Sequence, residues 1–366
     1  MLVHERGGMS TDALFAEAQR HHREGRVSEA EAIYRRLLRD NPGHADALHY
    51  LAVIDMDAGR FAEAEQGMRA SLQLKPREPS IHVNLGILLT RASRPDEAAA
   101  SFRAALALDP FRVGALLGLG GVLREQRRHE EAVRTARKAV AIEPRNARAC
   151  ALLGSLLQDG GQSAEAVEWL ERAVTLKPED ARSHYNLGAA RRSKGQIAEA
   201  MAAYRQALAL DPGLAEAHNN LGVLLVDLED APGAVSHLTL ARELLPGNAV
   251  VHNNLGRALS QLGRFGEAIA CFGDALRLDP AYAEAIANIG AAERSLGRLE
   301  AAEGSLRRAI ALKSDFAEAY GNLGLTLRDL GRLDEALASV NRALELRSDI
   351  AELHGNLGLE IGRAHV

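Results

Sequence analysis

Apolar and small residues recur along this chain in two bursts every 34 residues, with short polar breaks between them. When each unit is numbered so that its closing proline is position 32, the first burst falls at positions 4, 7, 8 and 11. The second falls at 20, 24, 27, 28 and 30. Both spacings follow the period of an amphipathic helix rather than the alternation of a strand, so each unit predicts two helices. A repeat of this length marks a stacked array of small helical units, each burying its apolar face against its neighbours.

The breakers bound the unit. Pro42, Pro76, Pro110, Pro144, Pro178, Pro212, Pro246 and Pro280 stand 34 residues apart, and Ser314 and Ser348 keep the register. Position 8 is glycine from Gly86 through Gly358, with Ala18 and Ala52 in the first two units. Position 20 is alanine in all ten full units, from Ala30 to Ala336, and position 24 is usually large, as in Tyr34, Phe102, Tyr204 and Phe272. Small residues at 8 and 20 predict a close approach of the paired helices. Gly59, Gly161, Gly195, Gly263, Gly297 and Gly331 at position 15 predict a left-handed end to the first helix. Glutamates at 18 and 19, such as Glu130, Glu131, Glu165, Glu199 and Glu335, meet the positive end of the second helix. Trp169 and the position-24 aromatics fall on the packing side, which predicts a core role.

Large or amphipathic at 4, Leu at 7, Gly at 8, Ala at 20, aromatic at 24, Ala at 27 and Pro at 32: this unit resembles the tetratricopeptide repeat (TPR) family. The resemblance implies an all-α, right-handed TPR superhelix, an α-solenoid whose first helices line a concave groove. Ten full helix-turn-helix units cover residues 11–350, and residues 351–360 make the first helix of a truncated eleventh. Residues 1–10 read as a disordered leader.

Composition narrows the function. The 366 residues contain 14 aromatics, thin for one conventional core, and 44 basic against 49 acidic residues leave a net charge of -5. No basic excess exists to bind a phosphate backbone, so nucleic acid is excluded as a partner. Cys150 and Cys271, far apart and without a C-x-x-C partner, predict neither a disulfide framework nor a structural zinc, which fits a reducing compartment. The charged N-terminus is no signal peptide and no window approaches a membrane span. The expectation is a soluble, cytoplasmic chain with no membrane, metal or cofactor partner.

Asparagine recurs at position 6 as Asn84, Asn186, Asn220, Asn254, Asn288, Asn322 and Asn356, replaced by Gly118 and Leu152 in two units. Position 6 lies about 200° around the helix from position 4, on the face away from the helix-pair core. Asparagine is worse than alanine inside a helix by roughly 0.5 kcal/mol, so its recurrence calls for a compensating interaction. An amide that both donates and accepts suits the main chain of an extended protein or peptide segment, and equally suits neighbouring repeats or water. Glu216, Glu284, Glu318 and Glu352 at position 2, with Asp227 and Asp329 at 13, make the late groove acidic and point to a basic or neutral segment. Position 5 carries no base, which argues against a clamp for terminal carboxylates.

The runs His82 to Gly86, His184 to Gly188, His218 to Gly222 and His252 to Gly256 are similar to the repeats of O-GlcNAc transferases. That family carries an asparagine ladder in a groove that recruits protein substrates. The opening His21-His22-Arg23-Glu24-Gly25-Arg26, followed by His44-Ala45-Asp46-Ala47-Leu48-His49, likewise resembles bacterial proteins that join a TPR arm to a transferase. The resemblance implies either a free-standing scaffold or the substrate-recruiting arm of an O-GlcNAc transferase-like or sulfotransferase enzyme.

Other chemistry fails on geometry. Histidines recur at position 4 as His82, His184, His218, His252 and His354, but stacked units about 10 Å apart cannot share an ion that needs ligands near 2 Å. Gly118-Leu119-Gly120-Gly121 follows no strand, and His129-Glu130-Glu131 has Val133 where a zinc motif needs its second histidine. No catalytic residue is predicted. The closing Ile361-Gly362-Arg363-Ala364-His365-Val366 reads like a translated sequencing adapter, which marks residues 361–366 as non-native and the chain as a fragment.

Overall fold

The computed structural model describes residues 10–347, and all of its regular elements are helices. Residues 1–9, Ser348, Glu352, His354, Asn356, the eleventh unit and the suspected tail lie outside the described residues. The chain divides into two compact units, Met1–Glu179 and Asp180–Val366. The first contains α1 (Thr11–Arg23), α2 (Val27–Asp40), α3 (Ala45–Asp57), α4 (Phe61–Leu74), α5 (Pro79–Arg91), α6 (Pro95–Leu108), α7 (Val113–Glu125), α8 (His129–Ile142), α9 (Ala147–Asp159) and α10 (Ser163–Leu176). The second contains α11 (Ala181–Ser193), α12 (Ile197–Leu210), α13 (Ala215–Asp227), α14 (Ala231–Leu244), α15 (Ala249–Gln261), α16 (Phe265–Leu278), α17 (Ala283–Ser295), α18 (Leu299–Leu312), α19 (Ala317–Asp329) and α20 (Leu333–Leu346). Every odd helix occupies positions 1–13 of its repeat and every even helix positions 17–30.

Each odd helix ends in the same left-handed cap. The position-16 N–H reaches back to the position-11 carbonyl, as in Arg60 to Asp55 at 2.8 Å, while the position-15 N–H bonds position 12. Position 15 therefore takes a positive φ in all ten repeats: seven are glycine, and Ser93, Arg127 and Glu229 adopt 57°, 58° and 60° without being glycine. The opposite ends of six of the ten described odd helices are closed by side chains. Ser10 caps α1 through the Ala13 N–H, and Asn146 and Asp180 cap α9 and α11 in the same way.

Within each hairpin, position 20 is an alanine with no exposed surface, and in seven of them a glycine at position 8 faces position 24 at a distance that excludes a Cβ. A Cβ on Gly86 would stand 2.7 Å from the Phe102 ring, and one on Gly188 would stand 2.7 Å from the Tyr204 ring. Phe102 is also pressed from the next repeat, where a Cβ on Gly118 would run into its far edge. Position 6 carries no side chain there, whereas Asn288 follows the equivalent Phe272. In that repeat position 24 shrinks to Ala136, and Leu152 of the following repeat reaches back to within 3.0 Å of where a Gly120 Cβ would stand. Gly118 thus packs on the Phe102 ring and Leu152 on Gly120.

Trp169 departs from the expected core role. It sits at position 23, half-buried, with its indole N–H on Glu165 at 3.3 Å and the Arg172 guanidinium 5.5 Å from its ring; Leu170 fills the core instead.

Successive odd helices touch one another within each unit, as α5 does α7 and α15 does α17, while no two even helices pack to a comparable extent. The odd helices are therefore the closely spaced row of each unit. On the even side, arginines at position 16 bind the glutamate at position 19 and reach the glutamate at position 21 of the preceding repeat. Arg94 meets Glu97 at 2.7 Å and Glu65 at 2.6 Å, and Arg332 meets Glu335 and Glu303 at the same distances.

Gly118→Asn, which restores the commonest residue at position 6, is expected to destabilise the chain by about 1–3 kcal/mol through overpacking against Phe102. Urea unfolding measures the loss, and adding Phe102→Leu should recover much of it. Glu229→Gly removes a left-handed non-glycine residue and should raise stability by about 1 kcal/mol in the same assay.

Candidate functional site

The odd-helix row of the second unit carries the asparagines. Their side chains are half-buried, and Asn254 is 7% exposed, so they lie in the seams between repeats rather than standing free of the stack. Each of three donates its amide to position 5 of the preceding repeat. Asn220 Nδ2 reaches the Tyr185 hydroxyl at 3.3 Å, Asn254 Nδ2 reaches Asn219 Oδ1 at 3.0 Å, and Asn288 Nδ2 reaches Asn253 Oδ1 at 2.9 Å. Asn219 closes the gap by donating to Asn220 Oδ1 at 3.3 Å, so three amides from two repeats, Asn254, Asn219 and Asn220, join in one directional chain ending on Tyr185. In the first unit Asn84 Nδ2 meets His49 Nε2 at 2.8 Å, by the same rule. Asn322 faces Ala287 at position 5, and its amide has no partner among the described residues. The position-5 residues were not read from the sequence as part of the ladder; their signal was the pairing of polar position 5 with asparagine one repeat later.

Position 4 performs a second inter-repeat task. His82, His218 and His252 place Nε2 at 3.2, 3.1 and 3.0 Å from the carbonyl of the closing proline before them, and Cys150 places its thiol 3.9 Å from that of Pro144. A carbonyl only accepts, so Nε2 carries the proton. The His-x-Asn-Leu-Gly run is thereby a packing device: His binds the preceding turn, Asn the preceding helix, and Gly admits the facing side chain. Among the described residues no three His, Cys, Asp or Glu side chains converge, and no helix is long and apolar enough to cross a membrane.

Models of the tetratricopeptide repeat match residues 21–85, 83–147, 249–282, 283–316 and 317–350, and a model described as TPR repeat matches 154–191 and 189–229. This chain is a tetratricopeptide repeat protein. Solved structures with a similar chain include MamA, 28% identical over 45% of this chain and 97% of that one with a TM-score of 0.39. A second MamA structure is 27% identical over 48% and 96%, with a TM-score of 0.41. The Cut9–Hcn1 hetero-tetramer of the APC/C is 16% identical over 97% of this chain and 91% of that one, with a TM-score of 0.54, a likeness of fold. No curated protein sequence matches this chain.

The acidic groove expected of this TPR protein is largely neutralised by its own cations. Glu284 binds Lys313 at 3.0 Å, Glu318 binds Arg347, Asp329 binds Arg294 at 2.6 Å, and Asp227 lies 3.4 Å from Arg257. The position-2 acids pair with a base at position 31 of their own repeat, a relation invisible until the repeat closes. Glu216 alone of the five keeps no cation within ion-pair distance among the described residues. The charge argument for a basic partner loses its carriers.

A cavity of about 230 Å³ opens on this row between α15 and α17, lined by Val226, Arg257, Gln261, Phe272, Asn288 and Ser295 among others. Elsewhere in the same unit two histidine rings are paired. His218, with its Nε2 proton on Pro212, accepts at Nδ1 from His237 Nδ1 at 2.9 Å. Burial, followed by the nearby His218 and Arg205, pushes the His237 pKa below its ordinary value. His49 is pushed down by burial as well, and must stay neutral to accept from Asn84.

Both imidazoles titrate lower in the folded than in the unfolded state, so their contribution is complete above about pH 6.5 and is lost as pH falls and the unfolded chain takes up protons. The urea midpoint should therefore drop between about pH 7.5 and 5.5. His237→Gln should show a shallower drop than the parent chain.

Proposed function

We propose that this chain is a protein-interaction scaffold that holds an extended protein segment along the odd-helix row of its second unit, with Asn186, Asn220, Asn254, Asn288 and Asn322 as the polar spine. One observation carries the reading. Asn288 spends its Nδ2 on Asn253 while its side chain lines the 230 Å³ cavity, so a fixed carbonyl acceptor stands beside a hole of side-chain size. An extended segment supplies the complement, a main-chain N–H for the acceptor and an apolar side chain for the cavity walled by Val226 and Phe272. Because the ladder holds the Asn220, Asn254 and Asn288 amides in one orientation, little side-chain entropy is lost there on binding. With Glu284, Glu318, Asp227 and Asp329 internally paired, recognition rests on hydrogen bonding and shape, and Glu216 is the exception.

The reading of these repeats as the recruiting arm of an O-GlcNAc transferase-like or sulfotransferase enzyme draws on the His-x-Asn-Leu-Gly runs. Inter-repeat bonds of His82, His218 and His252 and of Asn84, Asn220 and Asn254 support a packing role for those runs, so the scaffold reading needs no catalytic partner.

Two paired variants separate binding from packing. Asn254→Ala with Asn288→Ala removes both the ladder donors and the acceptors; Asn254→Asp with Asn288→Asp removes the donors and keeps acceptor oxygens. Both pairs should destabilise the chain by about 1–3 kcal/mol, since two neutral hydrogen bonds are lost. On an array of unstructured peptides, the alanine pair should lose binding by about ten-fold or more and the aspartate pair should retain most of it. Equal retention by both would leave the asparagines a purely structural role.

A further inference from the structure

The first two repeats differ from the rest in what faces their odd-helix row. Position 6 is Tyr50, where six later described repeats carry asparagine. Tyr50 stacks on Tyr34 at 5.9 Å and 14°, meets His22 edge-on at 6.1 Å and 79°, and lies 5.7 Å from Phe15. Beside this cluster, between α1 and α3, opens a cavity of about 440 Å³ lined by Gln19, His22, Arg23 and Tyr50.

One charged group there lacks a counter-ion among the described residues. The Arg23 guanidinium bonds only the Gln19 carbonyl, through Nε at 3.3 Å, and has no carboxylate within ion-pair distance among the described residues. The surrounding bases are all engaged: Arg20 and His21 with Glu17, Arg26 with Glu24, and Arg60 with Asp55 and Glu31. Asp46 is held by Lys75 at 2.7 Å. Around the same cavity stand the Gln19 amide, the His22 imidazole and the Tyr50 ring.

These groups share one chemistry. A guanidinium fork grips two oxygens of a planar or tetrahedral oxyanion, the Gln19 amide and the His22 ring add donors, and Tyr50 supplies an aromatic wall for a flat group. We propose that the cavity of the first two repeats is an anion-binding site, which takes a carboxylate or phosphate carried on a flat or apolar group. The source is an acidic or a phosphorylated side chain of a bound protein segment. The site lies in the first unit, so it stands independently of the asparagine row of the second.

The test titrates the full chain with benzoate, phenyl phosphate and neutral benzamide, following the His22 and Tyr50 ring resonances. Saturable shifts are expected with the anions, with benzamide weaker by about ten-fold or more. Arg23→Gln, at an exposed position, should weaken the anions by about ten-fold or more with unchanged helicity and melting. Arg23→Lys, which keeps the charge without the fork, should fall between. A preference of about ten-fold for phenyl phosphate assigns a phosphorylated residue, and comparable binding assigns a carboxylate. Absence of saturable shifts, equal binding of benzamide, or full affinity in Arg23→Gln would overturn the site.

Discussion

The contact on which the rest of this structure depends is the one inside each hairpin, where a small residue at position 8 meets position 24. Position 8 lies so near position 24 that a Cβ would enter the Phe102 or Tyr204 ring. Dense packing at this point sets the distance between paired helices, and interiors packed to crystal-like density pass such constraints on to their neighbours. With that distance set, the next odd helix settles close enough for an asparagine at position 6 to reach position 5 behind it. The ladder is a consequence of the tight hairpin.

The interruption of the ladder lies at the same contact. Phe102 fills its own hairpin and reaches the next helix, where Gly118 stands at position 6. Ala136 then leaves position 24 small, and Leu152 comes back toward Gly120. Large and small side chains are traded across repeat boundaries, so each substitution is intelligible only with the residue one unit away. This is the behaviour of a stacked array, in which stability is built from repeats and the interfaces between nearest neighbours.

Polar groups along the odd row divide into those committed to the fold and those left for a ligand. Position-4 histidines bind the preceding proline turn, most position-2 acids bind a base at position 31, and asparagine amides bind the helix before them. The remainder is small and specific. Among the described residues it includes the carbonyl of Asn288 beside a cavity, the amide of Asn322, the carboxylate of Glu216 and, in the first unit, the guanidinium of Arg23.

The chain's periodicity determined the number and bounds of the helices, the left-handed caps, the close hairpin contact and the burial of Tyr34, Phe102, Tyr204 and Phe272. All of these arise from residues within one 34-residue unit, where helix geometry converts spacing directly into facing. What lies between units was decided only in three dimensions. The asparagine pattern was visible, but its partner at position 5 of the previous repeat was not, because contacts across a seam depend on how neighbouring hairpins stack rather than on angles within one helix. For the same reason Glu284 and Glu318 read as open groove charges in one dimension and close onto Lys313 and Arg347 in three. Trp169, one residue off the core stripe, turned outward to Glu165 and Arg172, since Leu170 already filled the space that the hairpin left.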